Sequence, residues 1–359
     1  MAHTRATILA NHRRERIAAT PHNWLARSLR SVRLRTVVCL SLPILLPCLS
    51  GCSGLQSALD PAGEEADQVL KLSLVLFCGA AAIWLAVVAA LLYAARRRRE
   101  SLSEQSASRF ILFGGAVLPS VILAALLSFA LWLMPGLRPF GQAAGAVMHI
   151  DVTGKQYWWH VVYRRSNGPA VVSANEIRLP VGQRVELTLA SSDVIHSFWI
   201  PALGGKMDMI PGRTNRLSLL ANKAGTFRGP CAEFCGTSHA LMAFAVVTME
   251  AQAFEEWLAT QARPSPRAAD DGAALFLRHG CGACHTVSGI EAHGMIGPDL
   301  SHLGSRLTLA AGTQPNTADT IARFITEPER IKPGVQMPSF AMLPQDDIRN
   351  IAAWLKELE

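Results

Sequence analysis

The sequence predicts a multi-domain chain in three parts: a two-helix transmembrane hairpin, an all-β sandwich or barrel, and a small all-α domain. Two uncharged runs, 72–95 and 110–137, predict the hairpin. Short β-branched segments separated by Gly and Pro turns, between 148 and 249, predict the β domain. Beyond 268 the apolar spacing becomes helical around Cys281-Gly-Ala-Cys284-His285, which predicts the third part.

Apolar residues make up 50% of the 359 residues and mean hydropathy is +0.23, high for a soluble protein. The net charge of +7 is local. Residues 1–51 hold eight Arg and one acid, and the rest of the chain balances at 26 basic and 26 acidic residues. A nucleic-acid partner, which needs a basic face, is therefore excluded.

Residues 1–51 have the layout of a secretory signal: an Arg-rich segment, an apolar run and small residues before a cleavage point. The run at 37–49 has 13 residues and contains Pro43 and Pro47, short of the roughly 20 a spanning helix needs. Leu49-Ser50-Gly51-Cys52 resembles a bacterial lipoprotein signal, which implies cleavage before Cys52 and lipidation of its thiol. Residues 52–68 are polar and acidic, as expected outside a membrane. At about 1.5 Å per residue, the run 72–95 spans a bilayer with some tilt. The loop between the runs carries five Arg against Glu100 and Glu104, so it is expected on the cytoplasmic side, with both hairpin ends outside.

Expected strands fall at 149–153, 157–163, 176–179, 184–189, 216–219 and 243–249. A short helix at 252–261 closes this domain, and Arg263-Pro-Ser-Pro-Arg267 reads as a stiff polar linker. Further helices are expected at 270–278, 317–326 and 345–358. The expected divisions are signal 1–51, external segment 52–68, hairpin 69–137, β domain 138–259, linker 260–268 and helical domain 269–359.

Of eight cysteines, four form close pairs, each beside a histidine, which indicates cofactor chemistry rather than a disulfide framework. Cys231, Cys235, His239 and Met242 lie within twelve residues, with His196 some 35 residues earlier. Thiolates, imidazoles and a thioether are ligands that copper selects, and two thiolates at this spacing can bridge two metal ions. Spacing alone also admits a tetrahedral zinc site or a disulfide; Met242 favours copper, since zinc sites rarely use thioether. Cys281-x-x-Cys284-His285 suits covalent haem attachment, against a redox dithiol or half a zinc site.

Here Cys-x-Glu-x-Cys-Gly-x-x-His-x-x-Met at 231–242, Asp-Val-x-His-Ser-Phe at 193–198 and Leu-Gly-x-Lys-x-Asp-x-x-Pro-Gly at 203–212 resemble subunit II of haem–copper cytochrome c oxidases. The resemblance covers about 69–250 and implies a cupredoxin-like barrel holding a dinuclear CuA centre. The implied ligands are His196, Cys231, Cys235, His239, Met242 and the backbone carbonyl of Glu233, whose side chain the family also uses at a magnesium site shared with subunit I. The family receives electrons at the Trp of a Gln-Trp pair; here Tyr157 stands in that place, followed by Trp158 and Trp159. Trp158 is the expected substitute, and Trp159 reads equally well as barrel packing.

The third part resembles a class I cytochrome c, which implies thioether bonds from Cys281 and Cys284 to haem c and His285 as one axial ligand. Lys332-Pro-Gly-Val-Gln-Met337-Pro resembles the loop that supplies the second ligand, Met337; Met342, Met295, His293 and His302 are weaker candidates. Met/His ligation raises a haem potential, as suits a donor to copper. From 263 on the chain has nine basic and eleven acidic residues, and 138–262 has eleven and nine, so docking near Trp158 is expected to rest on tethering rather than long-range steering.

The reading is the electron-transfer subunit of a bacterial terminal oxidase, in which a fused haem c domain feeds CuA and CuA feeds the haem and copper of subunit I. Implied partners are subunit I, subunit III and an upstream donor such as a cytochrome or a bc complex, in the inner membrane with both metal domains outside. The alternatives are the CuA-bearing subunit of a nitric oxide reductase and a membrane-anchored copper delivery or sensing protein.

Overall fold

A run without charge can satisfy its backbone inside lipid only as a helix. In the computed structural model, which describes residues 53–96, 103–137, 148–165 and 168–359, that run is extended at both ends into helix α1 (Glu64–Arg96). The second run forms α2 (Glu104–Leu112), capped by the Ser103 hydroxyl, then a π-helical turn (Phe113–Val117) at Gly114 and Gly115, then α3 (Leu118–Leu137). Each run is long and apolar enough to cross a membrane. The leader and Cys52 lie outside the described residues.

The first turn of α1 is tied to the β domain by charge. Arg184 binds Glu64 at 2.7 Å and the largely buried Glu65 at 2.6 Å, and Glu65 also accepts the Leu220 amide at 3.1 Å. Residues 60–63, within the expected external segment, are likewise hydrogen-bonded to the domain, through Ala62 to Ala202 at 2.7 Å.

The β domain has two sheets. The first orders β3 (Val171–Ala174), β2 (Trp158–Arg164), β1 (Met148–Lys155), β5 (Arg184–Ser191) and β8 (Asn215–Leu220); the second orders β4 (Glu176–Pro180), β10 (Ala243–Met249) and β9 (Gly225–Pro230). Pairs β1–β5 and β4–β10 run parallel, and the remaining pairs in these sheets run antiparallel. A small ladder joins β6 (His196–Phe198) to β7 (Met207–Met209). Strands β3, β6, β7 and β9 carry no clear alternation and were not expected; β9, Gly-Thr-Phe-Arg-Gly-Pro, is read more readily as a turn.

Trp159, Tyr163, Phe198 and Phe244 are fully buried between the sheets. Trp159 meets Phe244 edge-on at 5.2 Å, and Phe198 stacks on Phe244 at 4.8 Å, so Trp159 is a packing residue.

Helix α4 (Ala251–Gln261) leads to the third part, built from α5 (Asp271–Arg278), α6 (Ala318–Thr326), α7 (Pro328–Ile331) and α8 (Gln345–Glu357). Thr317 caps α6 in a capping box with Thr320. The stretch read as a linker is packed onto this part. Trp354 Nε1 donates to the Arg267 carbonyl at 3.0 Å, His302 Nε2 bonds the Arg263 carbonyl at 2.9 Å, and Ser265 is buried.

Candidate metal and haem sites

Chain geometry around residue 235 brings six donors together. Cys231 follows β9, and His196 begins β6; an isolated bridge between Phe198 and Cys231 ties the two segments. The thiols of Cys231 and Cys235 face each other at 3.9 Å and are free. His196 Nδ1 lies 3.8 Å from the Cys231 sulfur, and His239 Nδ1 lies 3.6 Å from the Cys235 sulfur. The Met242 sulfur is 3.8 Å from Cys235, and the Glu233 carbonyl is 3.3 Å from Cys231. The arrangement is two thiols, each flanked by an imidazole nitrogen, with a weaker donor at either end. This set fits a pair of bridged coppers. A lone tetrahedral zinc would leave the thioether and the carbonyl without a role.

Outer partners fix the ligands. His196 Nε2 bonds Asp193 at 2.8 Å, which turns Nδ1 toward the sulfurs. Burial opposes the charge on both groups, but their mutual bond, with the Cys231 thiol on His196, holds His196 above and Asp193 below its ordinary range. A Cβ on Gly154 would stand 2.8 Å from the His196 ring, so only glycine leaves room for it. The two thiols titrate as a pair: the bond from Cys235 lowers the first ionisation, at Cys231, and the resulting charge together with burial raises the second.

The Glu233 carboxylate, expected at a magnesium site, lies 3.6 Å from Lys206. Among the described residues the grouping able to hold a metal is His196, Cys231 and Cys235, whose ligand atoms lie within 4.8 Å of one another. Nothing there supports magnesium.

The third part carries an apolar cavity of about 210 Å³ lined on its side by Cys281, Cys284, His285 and Met337. His285 Nδ1 bonds the Pro298 carbonyl at 2.7 Å, which leaves Nε2 as the lone-pair nitrogen of a ring lining the cavity. Burial pushes His285 down, so it stays neutral, as a metal ligand must. A Cβ on Gly297 would collide with that ring, which is why the turn behind it is Gly-Pro. Met337 is the methionine at the cavity among the described residues; Met295 and Met342 are 81% and 76% exposed. His293 is exposed, and His302 is used by the Arg263 carbonyl. Two free thiols, a neutral imidazole and a thioether around an apolar cavity fit a covalently held haem.

Residues 163–249 match the family model for the periplasmic domain of cytochrome c oxidase subunit II, and 269–359 match that for cytochrome c. Cytochrome c oxidase subunit 2 of Alkalihalophilus pseudofirmus is 30% identical over 335 residues, covering 89% of this chain and 96% of that protein. The chain belongs to the cytochrome c oxidase subunit 2 family. Subunit 2 of Bacillus subtilis is 30% identical over 353 residues, with 90% of this chain and 98% of that protein covered. The solved periplasmic domain of subunit II of cytochrome oxidase from Bradyrhizobium japonicum is 35% identical over 32% of this chain and 94% of that one, with a TM-score of 0.31.

In this subunit II the two sites meet. Gln156, Tyr157 and Trp158 of the β domain line the cavity wall. The Gln156 side chain donates to the Cys235 carbonyl at 2.6 Å, and the Thr237 amide donates to the Tyr157 hydroxyl at 3.0 Å. Sequence reading named Tyr157 and Trp158 and missed Gln156. Other bonds across the seam join Glu176 to the Leu307 amide at 2.8 Å, Arg178 to the Ser305 carbonyl at 3.3 Å, and the Ala243 amide to the Ala311 carbonyl at 2.9 Å. No motif announces these, because most use backbone atoms as partners.

Proposed function

We propose that this subunit II receives electrons at a haem c held by Cys281, Cys284, His285 and Met337. It passes them to a dinuclear CuA centre held by His196, Cys231, Cys235, His239, Met242 and the Glu233 carbonyl, for delivery to the oxygen-reducing haem and copper of subunit I. When bound, the two groups supply one-electron redox chemistry. The chain's own residues hold and orient both sites. His285 is kept neutral and aimed by Pro298; His196 is aimed by Asp193; the cysteine loop is held on rigid strands, so little motion accompanies a change of charge. Glu233 contributes a backbone carbonyl only, and no magnesium is invoked.

The observation that carries this reading is the shared wall. Gln156, Tyr157 and Trp158 line the haem cavity, and Gln156 is bonded to the cysteine loop. A copper delivery or sensing protein has no use for such a junction, and family membership disfavours the nitric oxide reductase reading.

The location follows from the same parts. Two helices long and apolar enough to span, joined by an Arg-rich loop, support a location with both metal domains outside a bacterial inner membrane, beside subunit I and its companion subunits. Stopped-flow reduction of the assembled oxidase by a soluble cytochrome tests the order of transfer. Haem c reduced before copper is expected; copper reduced first contradicts it.

A further inference from the structure

Lys332 is only 2% exposed, in the loop that leads to Met337. Its ammonium crosses the seam to donate to the carbonyl of Tyr157, and donates to the Ala310 carbonyl of its own domain at 3.1 Å. The next residues continue the contact. The Pro333 carbonyl accepts from Ser238 at 2.6 Å, and Gly334, at φ +76°, lies so close that a Cβ would stand 3.3 Å from the Tyr157 ring. The loop is therefore fixed to the β domain before it delivers Val335, Gln336 and Met337 to the cavity.

A buried amine is unfavourable unless bonded. Burial pushes Lys332 down to about 7. An exposed lysine at this position would carry no such penalty, and the haem domain's own need is met by Ala310. The bond to Tyr157 serves the other domain.

We propose that Lys332 is a positioning residue, a latch that ties the Met337-bearing loop to Tyr157 and holds the haem cavity against the Gln156–Tyr157–Trp158 wall. The latch rests on reading the cavity and the cysteine loop as successive electron sites. With both groups bound, haem c would give up one electron and the copper pair would take it up; Lys332 would be neither donor nor acceptor of it. Its work is to fix the gap.

The test uses the full chain in its assembled oxidase with Lys332→Met, which removes the donor at similar length, and Lys332→Arg, which keeps one. Amide exchange at 331–337 and 156–159 is expected to rise about tenfold or more in Lys332→Met, the weight of a buried acceptor left without its donor, with α8 unchanged. Copper reduction after flash reduction of the haem is expected to slow in the same variant and to recover in Lys332→Arg, with the sulfur–iron absorption band intact in both. Unchanged exchange in both segments overturns the latch. So does loss of protection throughout α8, which would make Lys332 a folding residue of its own domain. Lys332→Gln, which keeps a donor but falls short of Tyr157, replaces Lys332→Met if that variant does not accumulate, with the same two outcomes. Exchange is read independently of metal content, so a protein lacking copper would refute the functional reading while leaving the latch to be judged on exchange alone.

Discussion

The hydroxyl of Ser238 donates to the carbonyl of Pro333 at 2.6 Å. Ser238 stands between Cys235 and His239, and Pro333 is on the approach to Met337, so the two ligand-bearing loops are bonded directly to each other. Ser238 is fully buried. Ser238→Ala is expected to cost about 0.5–1.5 kcal/mol of the interdomain contact. It should slow haem-to-copper transfer without removing copper, as followed by flash reduction and metal analysis.

Asp193 bonds His196 at 2.8 Å and also accepts the Gln156 amide at 2.6 Å, so it braces the proposed copper site from two sides. Asp193→Asn keeps the shape but weakens the grip on the imidazole proton, and copper retention is expected to fall about 10- to 100-fold. Competition with a chelator checks this. Retention equal to the parent would show that His196 is aimed by packing alone.

Met337 is expected to be the sulfur ligand of haem c. Met337→Leu should remove the sulfur–iron absorption band and lower the haem potential. Met295→Leu and Met342→Leu, at exposed positions, should change neither; redox titration of the three variants distinguishes them.

Much of this was legible in the sequence, for identifiable reasons. Both cysteine clusters are local, with their ligands a few residues apart, and the hairpin is a matter of unbroken apolar length. His196 came into view through the stretch around it rather than through spacing. The seam was not legible. Lys332 and Tyr157 are 175 residues apart, Glu176 and Leu307 are 131 apart, and Gln156 and Cys235 are 79 apart. Local pattern carries no trace of such pairs. The strand β9 was hidden by its glycines, and the proline-rich stretch at 263–267 read as a stiff polar linker because its partners, Trp354 and His302, lie far along the chain.

Lys332 also sets a pH dependence. Its ordinary value is 10.5; burial lowers it to about 7, and the nearby Cys235 thiol opposes that shift in part. Between these two values the unfolded chain binds a proton that the folded chain does not, so this group makes stability rise with pH from about 7 to about 10.5. Below 7 and above 10.5 it contributes no slope. Thermal unfolding of the haem-bearing domain, compared in the parent and Lys332→Met, should show the parent gaining on the variant across that window. A constant difference would contradict it.

The central claim is that the cysteine loop holds two coppers sharing one electron, next to a haem that feeds them. Electron paramagnetic resonance of the oxidised chain, with copper and zinc content determined on the same sample, tests it most directly. The expected result is a multi-line hyperfine pattern from one unpaired electron spread equally over two copper nuclei, accompanied by a near-infrared band. A single-copper pattern, or a silent centre containing zinc, would contradict the account.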